Sequence, residues 1–354
     1  MRTRIWIPEQ VEQNNNMPVI VIPIGTISGH YMVELLSRDN TIISTWSFDN
    51  IITNAGMDAI GSRIGAEIDE LFNFMQTGAG STTPSGSDTN LQTPITGRIA
   101  QLTSTGSLIN TDASGSFYTR ELTYLFTELL ANGNITELGI FTLVTDGRLV
   151  NRALVRDVFG APTTITKTSD NQLRVKYTYK VYVPTADVTG SITLGAVTHT
   201  YVIRPQLLSS SLAWGTSQGG GSPLTTGGYT HAITERGWAS APTFFGCSPS
   251  GTLVTATSSL TISPITNASS VDAIAYVNND YYRDIDAIWE PSDANFGSTG
   301  IKMFRFRAIG RNSFISNPGA WTHQMEITPN ILKVNTQRLT LRFRFGWSRA
   351  RTSE

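Results

Sequence analysis

The chain has 354 residues, enough for two domains or one large β domain with insertions, so core size does not limit the reading. Its 26 basic and 27 acidic residues are interspersed and give a net charge of −1, which leaves no single-sign field to attract nucleic acid or an anionic membrane. One cysteine, Cys247, excludes an intramolecular disulfide and a cysteine-based zinc cluster.

Threonine (47 residues) and glycine (31) are abundant and only 15 % of residues are charged, a composition that suits β-rich assemblies meeting other subunits. Arginine outnumbers lysine 21 to 5, which favours bidentate pairing across partly buried contacts. At the N-terminus, Pro8 and Glu9 interrupt the apolar residues that follow Arg2 and Arg4, so no secretory signal is expected. The longest apolar tract, Val19 to Ile24, contains Pro23 and is too short to span a bilayer. Assembly in the cytoplasm is the simplest expectation.

After a polar stretch at residues 10–16, His30 to Ser37 and Thr41 to Phe48 predict a hairpin turning at Arg38-Asp39-Asn40. Met57, Ile60, Ile64, Ile68, Leu71 and Met75 recur at steps of three or four and predict a helix over about 55–75, with Thr53 or Asn54 as its cap. Gly61 and Gly65 weaken it by about 1 kcal/mol each. Thr77 to Asn90 is poor in apolar residues and predicts a loop, or an arm ordered only by partners.

Strands are expected from Phe117 to Glu128 and from Ile135 to Leu143, joined through Asn132-Gly133-Asn134, with a second hairpin turning at Asp146-Gly147. Leu173 to Val183 alternates apolar and polar residues without interruption and predicts a strand buried on one face. The Ser- and Gly-rich run Ser209 to Gly228 marks a domain boundary or long loop. Ile301 to Ala308 and Arg338 to Trp347 mix Arg with Phe and are expected to pair. Arg305, Arg307, Arg342 and Arg344 would then need carboxylates, either Asp284, Asp286 and Glu290 or acids on another subunit. No fixed-period repeat is present, which disfavours solenoids and propellers.

Several chemical readings compete with structural ones. Gly215-Thr-Ser217-Gln-Gly219 matches a hydrolase nucleophile turn, and Ser217, Asp286 and His323 follow the right order, but no strand-turn-helix context surrounds the pentapeptide. Gly219 to Gly221 lacks the Gly-Lys-Ser/Thr ending of a phosphate loop. His30, His199, His231 and His323 are scattered, and Asp284 and Asp286 lack a calcium-loop frame, so no metal or cofactor is expected. Tyr281, Tyr282, Asp284, Asp286 and Trp289 mix aromatic and acidic groups in the manner of glycan contacts, against the plainer reading of an acidic face pairing with arginines.

Two strings carry a family resemblance. Trp46-Ser-Phe-Asp-Asn-Ile-Ile-Thr-Asn-Ala-Gly-Met-Asp58 resembles the segment after the first hairpin in tail and tail-fibre-associated proteins of tailed bacteriophages. Ile135-Thr-Glu-Leu-Gly-Ile-Phe141, with Gly147 to Leu154 and Leu173 to Val183, is similar to the β domain that follows it there. The likeness covers roughly residues 30–185; residues 206–354 resemble no family.

The resemblance implies a non-enzymatic virion protein of the tail, baseplate or fibre-attachment region, assembled in the host cytoplasm beside other virion proteins and copies of itself, as a trimer, hexamer or higher oligomer. Capsid decoration or a head fibre, and a host-carbohydrate receptor using residues 276–293, are the alternatives. The expected fold is mainly β, with antiparallel, sandwich-like domains, one short helix near 55–75 and long Ser/Thr/Gly-rich loops. Its expected divisions are 1–76 (hairpin and helix), 77–116 (arm), 117–205 (β domain with 30–76 packed on it), 206–230 (linker) and 231–354 (C-terminal β domain). Alternation also buries Glu137, which needs an arginine; Arg152 or Arg120 would serve, and a Glu137–Arg152 pair is expected.

Overall fold

The computed structural model describes residues 17–62, 71–95, 97–112, 115–145, 147–182, 184–205, 245–255, 262–306 and 323–350. The strands of the first half are β1 Val19–Ser37, β2 Ile42–Asp49, β3 Ile51–Ile52, β4 Phe74–Gly78, β5 Ile99–Ala100, β6 Thr103–Asp112, β7 Gly115–Phe126, β8 Gly133–Ile135, β9 Glu137–Phe141, β10 Leu149–Leu154, β11 Ile165–Lys167 and β12 Asn171–Tyr182. Those of the second half are β13 Val188–Leu194, β14 Val197–Pro205, β15 Phe245–Ser248, β16 Thr266–Asn267, β17 Ser270–Ala273, β18 Tyr282–Trp289, β19 Ile301–Phe306, β20 His323–Ile331 and β21 Leu339–Arg349. Among the described residues one α-helix, α1 (Asn54–Ser62), is present, between β3 and β4.

The fold is mainly β, and its sheets are antiparallel apart from one pairing. The exception is β1 with β21, which run parallel from Val19↔Arg342 to Ile27↔Arg349. β1 is 19 residues long and changes neighbours along its length. Its first half lies beside β21, while its second half pairs β12 on one edge and β2 on the other. Pro23, which has no N–H to donate, falls at the register shift before Gly25, where a ladder bond is dispensable.

Two sandwiches result. In the first, β2, β1, β12, β7 and β6 cover the sheet β3-β10-β9-β4-β5. Leu173, Val175, Tyr177, Tyr179 and Val181 of β12 point into its core, as their alternation requires. There Tyr31 OH donates to Asn151 Oδ1, and Phe72 stacks on Tyr179 with ring centroids 4.6 Å apart. In the second, β17, β18, β21 and the start of β1 cover the sheet β13-β14-β20-β19-β15-β16. Phe245 packs on Phe343 at 4.8 Å and Phe306 on Phe343 at 5.3 Å. The two cores are continuous, because Ile20, Ile22 and Ile27 of β1 belong to the same buried cluster as both aromatic groups.

Several sequence expectations need correction. The second sandwich combines strands from each side of 206–230, and its β1 is shared with the first, so this segment does not separate independently folded parts. Within the described residues the helix ends at Ser62, residues 63–70 lying outside them, and Phe74–Gly78 is a strand. Met75 is buried there against β9, so sheet pairing overrides the helical spacing of its apolar residues. Thr53 does cap the helix, its Oγ1 accepting the Gly56 N–H at 3.0 Å.

The hairpin expected around Asn132-Gly133 does not form. β7 pairs β6 and β12, whereas β9 pairs β10 and β4, because the two segments belong to opposite layers. The turn joining β9 to β10 is present, and a Cβ on Gly147 would lie 2.4 Å from the Leu143 backbone N, so glycine is required; its expected partner Asp146 lies outside the described residues. The expected β19–β21 pairing is also absent. β19 pairs β15 and β20, β21 pairs β18 and β1, and the two strands meet face to face through Phe306, Phe343 and Phe345. Their shared Arg and Phe alternation reports that each has one buried face, without specifying a common sheet.

Candidate functional site

Two clusters bring together the residues that the sequence singled out. The first is built on β9 and β10. Register places Arg152 opposite Gly139 and Leu154 opposite Glu137, so Glu137 and Arg152 are diagonal neighbours on one face, and Arg152 Nε donates to Glu137 Oε2 at 2.8 Å. Both side chains are almost completely enclosed, at 2 % and 0 % exposure for Arg152 and Glu137. Arg120, the other expected candidate, lies on β7 in the other sheet.

What encloses the pair is the stretch from Gly80 to Thr93, most of it within Thr77 to Asn90, which was expected to be a loop or an arm ordered only by partners. Glu137 Oε1 accepts the N–H groups of Gly80 (3.0 Å) and Thr93 (2.8 Å), and Oε2 accepts that of Gln92 (3.2 Å). Arg152 reaches Asp88 with Nη1 (2.8 Å) and the Thr82 carbonyl and hydroxyl with Nη2 (both 3.1 Å). Its own burial pulls the Arg152 pKa down, but the Asp88 and Glu137 carboxylates outweigh that and hold it above the ordinary arginine value. Gln92 Oε1 accepts the N–H groups of Ser81 and Thr82 and closes the loop on itself. The segment is therefore fastened within the chain by this buried charge pair, together with backbone bonds such as Ala79 N–H to the Thr93 carbonyl (2.7 Å) and Asn54 N–H to the Gly86 carbonyl (2.6 Å).

Small residues make the closure possible. A Cβ on Gly80 would stand 2.4 Å from Glu137 Oε1, and one on Gly139 would stand 2.7 Å from Leu91 Cδ2. Gly139 thus admits the Leu91 side chain that anchors the same loop. With its acceptors and donors committed, the pair has no free valence for acid–base work, and the arrangement acts as a clamp.

The second cluster is a ladder of ion pairs across β18 and β21. Asp284 faces Arg344 and Asp286 faces Arg342 in register, and both pairs are bidentate, with N–O distances of 2.7 and 2.8 Å in each. Arg338 and Glu290 approach to 3.4 Å at the exposed end of the strands. Arg305 lies on β19 away from this ladder, and Arg307 is outside the described residues. The acidic partners of Arg342 and Arg344 are thus within the chain, and the Arg344 guanidinium also stacks on Tyr282 at 3.7 Å.

This ladder removes the glycan-contact reading of the segment. Trp289 is fully buried with its indole N–H donating to the Thr266 carbonyl at 3.3 Å, so it offers no face to a sugar. Asp284 and Asp286 are held by arginines, while Tyr281 and Tyr282 are partly buried beneath Arg349 and Arg344. Of the hydrolase-like trio, Ser217 lies outside the described residues, Asp286 is held by Arg342, and His323 is stacked on Phe306 in the core. Burial pushes the His323 pKa down to about 3 and the Cys247 thiol up to about 12. Among the described residues, no three His, Cys, Asp or Glu side chains converge in the manner of a metal site.

Comparison with protein-family models, with curated proteins and with solved structures finds no match to this chain.

Proposed function

We propose that this chain is a non-enzymatic structural component of a tailed-bacteriophage particle, placed in the tail, baseplate or fibre-attachment region and acting through contacts between subunits. The observation that supports this most is how the two strings carrying the phage resemblance fit together. Ile51 and Ile52 pair with Arg152 and Asn151, and the Thr53 N–H donates to the Val150 carbonyl at 2.9 Å. Glu137 and Arg152 then tie the following loop over the joint. Segments about 100 residues apart in the chain thus form one packed unit, as expected of a single module.

The chemistry of the two charge clusters agrees with a structural role. Both spend their hydrogen bonds inside the chain, one fastening a loop and the other joining two strands. Quantitative mass spectrometry of tailed particles, purified on a density gradient from cells carrying the gene, tests the proposal. The chain is expected at a stoichiometry of several copies per particle, well above trace. Its presence in the lysate with absence from the particles would contradict a virion role.

A further inference from the structure

The free edge of β2 is the surface that carries a further inference. β2 is paired on one side by β1 alone, and no other described strand lies beside it. The pairing fixes which of its backbone groups are free. Asn50 donates its N–H to the Gly29 carbonyl, so in the alternating antiparallel pattern Tyr31↔Phe48 and Val33↔Trp46 exchange hydrogen bonds. The N–H and C=O groups of Thr45 and Ser47 therefore point away from β1.

Over Ser44 to Phe48 this edge lacks the features that normally block pairing, the one irregularity of β2 being the extra residue Ile43 just before that stretch. From Ser44 to Phe48 it has no charge, proline or glycine, and the register shift at Leu35/Leu36 leaves that stretch regular. By contrast, the edge strand β6 is interrupted by Gly106 and a register shift after Ser107, and the edge strand β13 has Gly190 near its centre. Ile42 and Ile43, at 50 % and 51 % exposure, add apolar surface beside the β2 edge.

We propose that β2 pairs antiparallel with β2 of a second copy of this chain, about a two-fold axis at Trp46. A row of outward amide donors and acceptors recognises extended backbone, and the sequence is self-complementary in this register. Thr45 meets Ser47 of the second copy and exchanges backbone hydrogen bonds with it. The partly buried Trp46 meets its own mate at a close, non-hydrogen-bonded position, and Ser44 meets Phe48. No like charges oppose one another over Ser44 to Phe48, which carries none. The first sandwich then continues through the axis as one sheet. This inference does not rest on a virion role, and a monomeric chain would leave the particle test above standing.

Two short strands bury less than the roughly 1,600 Å² of a standard interface, so the dimer is expected at micromolar concentrations and above. The test is light scattering on the purified chain from about 1 to about 100 micromolar, with residue-resolved hydrogen exchange at both ends of that range. The mass should double, and the amides of Thr45 and Ser47 should gain protection on concentration, while those of Trp46 and Phe48, bonded to β1, are protected throughout. Thr45→Pro removes an outward donor without touching the β1 ladder and should abolish both changes; should that variant fail to fold, the exchange pattern of the parent chain decides. A single-copy mass at about 100 micromolar, or freely exchanging Thr45 and Ser47 amides there, would overturn the proposal, as would a folded Thr45→Pro chain that still doubles its mass.

Discussion

Glu137 receives four hydrogen bonds, two on each carboxylate oxygen, and that symmetry decides what its replacement costs. Glu137→Gln must turn an NH₂ group toward two donors in either orientation. We expect it to destabilise by about 3–5 kcal/mol, similar to Arg152→Met, which leaves the carboxylate buried without its counter-charge. Chemical unfolding measures the loss, and limited proteolysis should cut within 79–93 first in both variants. The pair itself was legible in the sequence, because alternation buried Glu137 beside a strand that contained Arg152. The role of the loop was not, since its poverty in apolar residues says nothing about backbone amides that bind a carboxylate.

His323 gives a pH dependence whose sign follows from its depressed pKa. The folded chain takes up the proton only near pH 3, whereas the unfolded chain does so near 6.5. Stability is therefore complete above pH 6.5 and falls as pH drops, by about 1.4 kcal/mol per unit. The carboxylates with lowered pKa values, such as Glu34 and Asp187, lose their contribution only below about pH 4.5, so among the described groups with a shifted pKa the window from 6.5 to 4.5 reports His323. Unfolding titrations of the parent and His323→Gln should diverge in slope across that window, and equal slopes would refute the assignment.

At the level of elements, the ion-pair ladder offers a graded comparison. The Arg344–Asp284 side chains are each 5 % exposed, whereas those of Arg342 and Asp286 are 12 % and 16 % exposed. Arg344→Met should cost about 3–5 kcal/mol and Arg342→Met clearly less, and double-mutant cycles with Asp284→Asn and Asp286→Asn separate the pair terms from packing. Strand existence was well signalled, since the buried positions of β12 alternate without a break and the apolar residues of β21 fall at every second position from Leu339 to Trp347. Strand neighbours were not. Alternation reports one buried face but is silent on which edge meets which, so β19 and β21 look like pairing partners and instead pack through their phenylalanines. The same limit affected Trp289, whose acidic and aromatic neighbours suggested a surface although it fills the core; Trp289→Ala should cost about 3–5 kcal/mol, measured by denaturant unfolding.

For the whole molecule, the decisive element is β1, shared by both sandwiches and bonded in parallel to the last described strand. No local pattern announces a pairing between Val19 and Arg342, and so a boundary near 206–230 looked natural from composition. With one strand common to both cores, the described fold should melt in a single cooperative calorimetric transition, and two resolved transitions would contradict that coupling. The central claim, membership of a tailed particle, is tested most directly by electron microscopy of intact particles with gold-labelled antibody against residues 292–300. Label at the tail or its distal end is the predicted result. Absence of label from intact and disrupted particles alike, with the antibody shown to bind the purified chain, would contradict it.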